Sequence, residues 1–363
     1  MFRSISPRGA GLAVAGAALA VVTLASPAAA HEKWFVPEAA SYPTDWSFVL
    51  RPLALGAIAV VLAITVVWRV VALRIGPVEL AALRPLGRLV PYLPRLLAVH
   101  TGVSLLAAAV GGHFLTADLD VRDSAAGPLL TLVEGALGVW FISGVRLRPA
   151  AIALAVGGPL ALLVTGPVGL LSAADLLGIA AFLAFVPPSD GTFGRVEVTT
   201  EAARVALRRG LLALRLGVGV ALITLAFAEK LANPALARET LRLFPELDVF
   251  GLVGLSVPTD TFVLVAGCTE LLFGLLVISG AMPQVAVLVA GIPFNATLIL
   301  FGGTELLGHL PVYGVFLTLL AYGSSPTTAG SVCWLPSLRR RSPIGRATVP
   351  AQLPPGQPVD AAA

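Results

Sequence analysis

Charge is what this chain has least of. Only 12% of its 363 residues are charged, whereas soluble domains run near one quarter, and 57% are hydrophobic with a mean hydropathy of +0.92. That shortage excludes a water-soluble globular fold, a disordered chain and a nucleic-acid binder of the basic-surface kind. Lysine is nearly absent: Lys33 and Lys230 are the only two, so arginine carries the net charge of +4. Cysteine is limited to Cys268 and Cys333, too far apart for a CxxC pair, a zinc site or a disulfide framework. The four histidines are His31, His100, His113 and His309, with no sequence-adjacent pair to suggest haem and no cysteine cluster for iron–sulfur. What remains plentiful is glycine (37) and proline (28) within apolar runs, a mixture that transmembrane helices tolerate better than soluble ones.

The N-terminus carries Arg3 and Arg8, an apolar run from Gly9 to Leu24, and small residues ending at Ala28-Ala29-Ala30. This is the pattern of a signal peptide, residues 1–30, with cleavage after Ala30 or retention as a signal anchor. Cleavage makes His31 the mature terminus, whose amine and imidazole together could chelate copper. His31-Glu32-Lys33-Trp34-Phe35 offers no further nitrogen ligand, so His31 is a metal candidate short of ligands. Trp34, Phe35 and Trp46 fit an interfacial aromatic belt instead.

A bilayer core takes about 20 mainly apolar residues per helix. Pro52 to Trp68, Leu96 to Leu115, and Gly127 to Val145 each meet that length. Pro149 to Val186 is too long for one span and reads as two helices turning at Thr165-Gly166-Pro167. Leu211 to Ala228, Thr261 to Met282, Gln284 to Phe301 and Leu306 to Tyr322 complete nine spans. With His31 outside, fifteen basic residues fall on the loops and tail expected to be cytoplasmic, Arg84, Arg88, Arg95, Arg146 and Arg148 among them. Six fall outside: Lys33, Arg51, Arg122, Lys230, Arg238 and Arg242. This is the positive-inside bias of a bacterial inner-membrane protein, with the tail cytoplasmic. Thr200 to Arg209 reads as a short basic amphipathic helix on the inner surface, and the tail after Ser324 as disordered.

An internal repeat runs through the spans. At an offset of 136, Glu134 falls on Glu270, Gly138 on Gly274, Ile142-Ser143-Gly144 on Ile278-Ser279-Gly280, and Gly178 on Gly314. Upstream, Gly102-Val103 aligns with Gly217-Val218 at an offset of 115, which puts an insertion near Asn233 to Phe250. That insertion opens with Asn233-Pro234, an N-cap and first-turn proline, and fits a short helix at the outer interface. The expected architecture is all-α: two tandem parallel four-helix transmembrane units, 95–187 and 208–323. One extra transmembrane helix within 31–94 precedes them, a cytoplasmic linker, 188–207, joins them, and a tail, 324–363, follows.

The second unit carries Ala228-Glu229-Lys230-Leu231, then Asn233-Pro234-Ala235-Leu236, then Gly267-Cys268-Thr269-Glu270-Leu271-Leu272-Phe273-Gly274, and a last helix opening at Gly308-His309. Over about residues 207–322 this resembles the DoxX/DoxD-like family of four-helix membrane proteins. The first unit is a more distant match that lacks the Glu-Lys pair and has Asp175 where the second has Pro311. The resemblance implies the four-helix fold, and by the names of family members a link to quinol oxidation, thiosulfate–quinone chemistry or oxidoreductase complexes.

Ionisable groups at membrane depth default to functional candidates. Glu229 and Lys230 lie at the outer end of their helix, Glu270 about 15 Å into the next, and Glu305 and His309 share a face at spacing i, i+4. His113 and Glu134 occupy the matching zone of the first unit. One reading is a polar pocket open to the outside, with Glu270 and His309 carrying protons from a quinol or small acid. The other is structural: Glu229 pairs with Lys230, and Glu270 locks the bundle by hydrogen bonding. Arg215 and His100, near inner helix ends, are expected to snorkel. The functions that follow are an accessory or quinone-interacting subunit of a membrane redox system with a partner redox protein, a small-solute transporter, or a non-catalytic scaffold. All three place the chain in a lipid bilayer and none involves nucleic acid.

Overall fold

Apolar runs of this length have one stable form in lipid apart from a closed barrel, the helix whose backbone bonds are all internal. The computed structural model is built of such helices and describes residues 39–75, 80–162, 167–186 and 198–335, with residues 36 and 196. The expected signal segment, His31, the turn at Thr165-Gly166 and the end of the tail lie outside the described residues.

In chain order the helices are α1 (Pro52–Ile75), α2 (Leu93–Gly111), α3 (Gly127–Ser143), α4 (Leu147–Leu162) and α5 (Ala174–Phe185). They continue with α6 (Glu201–Leu225), α7 (Pro234–Leu243), α8 (Thr259–Ser279), α9 (Pro283–Phe301) and α10 (Gly303–Gly323). Five helical stretches are long and apolar enough to cross a membrane, within α1, α2 with its preceding turn, α6, α8 and α10; shorter apolar helices lie in α3, α4, α5 and α9. Exposed Leu129, Leu132, Ile292 and Ile299 give the bundle an apolar outer surface, suited to contact with lipid.

Two regions differ from the sequence expectation. The second span stops at Gly111, not Leu115, because Gly112 turns left-handed at φ +76° and its N–H caps Ala108 and Ala109, the usual glycine stop. The next residues form a two-stranded hairpin, β1 (His113–Phe114) with β2 (Thr116–Asp120). Thr200 to Arg209 is not a separate surface helix but the first turns of α6, started by the Thr200 hydroxyl accepting the Ala203 N–H at 3.1 Å. The inserted helix begins where its cap was expected: the Asn233 side chain accepts the Leu236 N–H at 3.2 Å ahead of Pro234. It buries Leu236, Ala237 and Thr240 on one face.

Packing follows small residues, as it must where lipid removes the hydrophobic drive between helices. α2 packs on α3 and α6 on α8, α4 on α5 and α9 on α10; α5 then lies on α6, and α10 on α2. At the α2–α3 crossing a Cβ on Gly102 would come 2.6 Å from the Gly138 carbonyl oxygen. At the α6–α8 crossing a Cβ on Gly219 would come 2.8 Å from the Gly274 oxygen. These crossings pair Gly102 with Gly219, 117 positions on, rather than with Gly217. The Gly217-x-Gly219 spacing offers both registers to an alignment, and close approach selects the second. Gly217 serves the α5–α6 crossing, where its missing Cβ would meet the Ala174 oxygen at 2.5 Å.

The Ile-Ser-Gly triplets end α3 and α8. Gly144 (φ +70°) and Gly280 (φ +63°) are left-handed C-caps, and the space where a Cβ would stand is filled by the guanidinium of Arg95 and of Arg215 respectively. Arg95 donates to the Ile142 carbonyl at 2.7 Å, a cation placed on a helix C-terminus. Arg215 does not snorkel: it is 1% exposed and donates to the Trp334 carbonyl at 2.6 Å. His100 is half-buried, its Nδ1 2.7 Å from the Leu96 carbonyl and its side chain against Gly314 of α10. α1 stands beside α8 in the same direction, tied by Arg51 to Asp260 at one end and by the Trp68 indole to the Ala281 carbonyl at the other.

Candidate functional site

At the end of the bundle that carries the hairpin, α2, α5, α6, α9 and α10 leave a small, partly open cavity of about 70 Å3. Val218, Leu222, Leu225, Leu176 and Val312 make its walls apolar. Its polar groups come from five places, one of them Ser104 of α2. Asp175 stands in the first turn of α5, where a helix N-terminus favours negative charge. His309 stands in α10, 7% exposed and edge-on to Phe294 of α9 with ring centroids 4.8 Å apart. His309 and Asp175 line the same cavity. His113 and Thr116 enter from the hairpin, and Ser172 precedes α5. The Thr116 and Ser172 hydroxyls are buried with no protein partner. An apolar cavity with a few convergent polar groups is the usual form of a small-molecule site.

The expected partner of His309 is elsewhere. Glu270 of α8 pairs with Lys230 at 2.9 Å and is not part of the cavity wall. Lys230 reaches it because residues Ala226–Leu231 form a π turn at the end of α6, and because Gly267 leaves room for Leu231 and the Lys230 stem. Glu229, one residue earlier in that turn, is buried at 2% exposure. Lys230 thus crosses to the neighbouring helix. Glu305 lies in the first turn of α10, and the structure describes its backbone alone.

Glu134 supports the hairpin. It is 0% exposed, and its Oε1 accepts the Leu115 N–H at 2.9 Å while Oε2 has no partner. Leu115, the residue between paired Phe114 and Thr116, holds φ +58°. At the hairpin base Arg122 forms an ion pair with Asp120 and lies over Gly112. This pair holds the Asp120 carboxyl at about 2, below the usual range, chiefly through the Arg122 hydrogen bonds.

Among the described residues no three His, Cys, Asp or Glu side chains converge closely enough to hold a metal ion. His31 lies outside them. Asp175, Ser172 and Thr116 are the cavity residues that sequence reasoning missed. Asp175 did carry a signal, as the single charged residue between Pro149 and Val186.

No protein-family model matches the chain, no curated protein is significantly similar to it, and no solved structure shares its fold at a significant level. Its chemistry is read from its own geometry.

Proposed function

We propose that the chain is a DoxX/DoxD-like inner-membrane protein of two tandem four-helix units, binding a quinone in the cavity between them as an accessory subunit of a membrane redox system. The observation that carries this reading is that Asp175 of α5 and His309 of α10, one helix from each unit, line the same apolar-walled cavity. A quinone supplies two-electron redox chemistry coupled to protons. The residues here supply what such a ring needs: apolar walls, hydroxyl donors at Ser172 and Thr116, and an imidazole and a carboxylate able to hold or pass a proton. These two take the role that sequence depth assigned to Glu270 and His309.

The two-unit reading is supported by reciprocal packing, in which the fourth helix of each unit lies on the first helix of the other (α5 on α6, α10 on α2). It is also supported by the cavity walls. Ala108 and Leu225, 117 apart, both line the cavity, and so do Ser172 with Gly308, Asp175 with Pro311 and Leu176 with Val312, each 136 apart. The site therefore straddles a quasi-twofold axis. With the arginine bias, the hairpin and cavity mouth face outward and the Arg95 and Arg215 ends face the cytoplasm. A cavity between parallel repeats also suits a small-solute transporter.

The test is thermal. A short-chain benzoquinone added to the protein in detergent and in native lipid raises the melting temperature of the wild type, and His309→Ala and Asp175→Asn abolish that rise. No rise in either medium refutes quinone binding. Uptake of a solute into proteoliposomes, lost in Asp175→Asn, selects the transporter.

A further inference from the structure

We infer that Glu134 is a positioning residue, a latch that fixes the hairpin strap carrying His113 and Thr116 into the cavity wall. The inference rests on the cavity being the functional site. Three features carry it. First, the strap is weak by itself: β1 has two residues, its register is interrupted between His113 and Phe114, and Leu115 occupies the left-handed region. For a side chain bearing a Cβ that conformation is unfavourable and persists only when surroundings enforce it. Second, two contacts enforce it. The Leu115 N–H donates to Glu134 Oε1 at 2.9 Å, and the Leu115 side chain lies against Gly158 of α4, where a Cβ would come within 3.3 Å of it. Third, the same device serves the other unit. Glu270, 136 positions on, holds Lys230 in the π turn that follows α6, just as Glu134 holds the hairpin that follows α2. In each case a glutamate on a unit's second helix grips the connection leaving its first. Glu134 thus acts through Leu115 and does not face the ligand, since His113, Leu115 and Thr116 line the cavity and Glu134 does not.

A latch needs an acceptor oxygen, whereas a proton carrier needs an ionisable group, and glutamine separates the two. Glu134→Gln keeps the amide oxygen for the Leu115 N–H. Its affinity for a short-chain benzoquinone is expected within about twofold of wild type. Glu134→Leu loses the acceptor and is expected to bind about tenfold more weakly, a difference of about 1.4 kcal/mol. Amide exchange across residues 112–121, measured in nanodiscs without ligand, should quicken about tenfold in Glu134→Leu and stay unchanged in Glu134→Gln. Equal loss of binding in both variants with unchanged exchange overturns the latch in favour of an ionising role, and an unaffected Glu134→Leu overturns both. Should that variant not fold, the wild type still decides: the Leu115 amide must be among the slowest to exchange in 112–121, and rapid exchange refutes the proposal. These exchange measurements use no quinone, so failure of the wild type to bind quinone leaves the latch separately decided.

Discussion

Replacing Glu270 by leucine would remove the carboxylate that the Lys230 ammonium meets at 2.9 Å, and the size of the penalty tests whether this pair is structural. The Lys230 side chain is 11% exposed and that of Glu270 is 32% exposed. Removing one partner of a buried pair costs about 3–5 kcal/mol, because the other charge is left without compensation. Exposed pairs are worth about 0–1 kcal/mol. The two substitutions should therefore differ. Glu270→Leu leaves the better-buried charge and is expected to cost about 3 kcal/mol. Lys230→Met leaves a carboxylate one-third open to solvent, which hydration or protonation relieves, and about 1–2 kcal/mol is expected. The double variant restores an apolar contact of similar volume and should lie within about 1 kcal/mol of wild type. Titration with a denaturing detergent gives the three free energies and a coupling energy of about 3–5 kcal/mol. All three variants keep the quinone-dependent rise in melting temperature. Penalties that add within about 0.5 kcal/mol would refute the pairing, and loss of the quinone response in Glu270→Leu at intact stability would return Glu270 to the site.

Gly217→Ala should cost about 1–3 kcal/mol by overpacking, since its Cβ would meet backbone atoms, the Ala174 oxygen at 2.5 Å and the Gly178 Cα at 2.8 Å. Gly56→Ala in α1, where nothing lies within 4 Å, should be neutral or stabilising, and melts in one detergent compare the two; equal penalties would contradict the crossing. The Asp120–Arg122 pair is open to water on both sides, so Asp120→Asn should cost less than about 1 kcal/mol at pH 7. Because the folded carboxyl is depressed to about 2 from an unfolded value near 3.9, the contribution is complete above about pH 4 and disappears as pH falls through about 2. Melts of wild type and variant that already converge at pH 5 would contradict that depression.

The helices were legible because an uninterrupted apolar run has few alternatives in lipid: each of the nine expected runs is helical among the described residues, and five of these helices are long and apolar enough to cross a membrane. Azimuth was not. Depth along a helix placed Glu270 and His309 in one layer, yet they face different neighbours. A soluble helix announces its buried side by being polar on the other, whereas α8 and α10 are apolar all round, toward lipid and protein alike. The hairpin was lost for a related reason: Phe114 and Leu115 prolong the apolar run, and only Gly111-Gly112 mark the stop. Arg215 looked like a snorkelling side chain because its destination, the Trp334 carbonyl, lies 119 residues away.

On the two-unit reading, the divergence between units explains where the cavity became polar. Ser104 stands opposite Ala221, Ser172 opposite Gly308 and Asp175 opposite Pro311, so one unit supplies hydroxyls and a carboxylate where the other supplies none. Pro311 is more than an apolar counterpart. Inside α10 it has no N–H to give the carbonyl of Leu307, four residues earlier, which also belongs to a cavity-lining residue. A proline at that place leaves an acceptor without its helical donor. The hydroxyls and the carboxylate therefore gather on the first unit's side of the wall, and the second adds an imidazole, His309, whose counterpart is Ala173. A ligand seated there meets hydrogen-bonding groups mainly along one side and apolar contact along the other, so the cavity is asymmetric in chemistry although its walls come from matching positions.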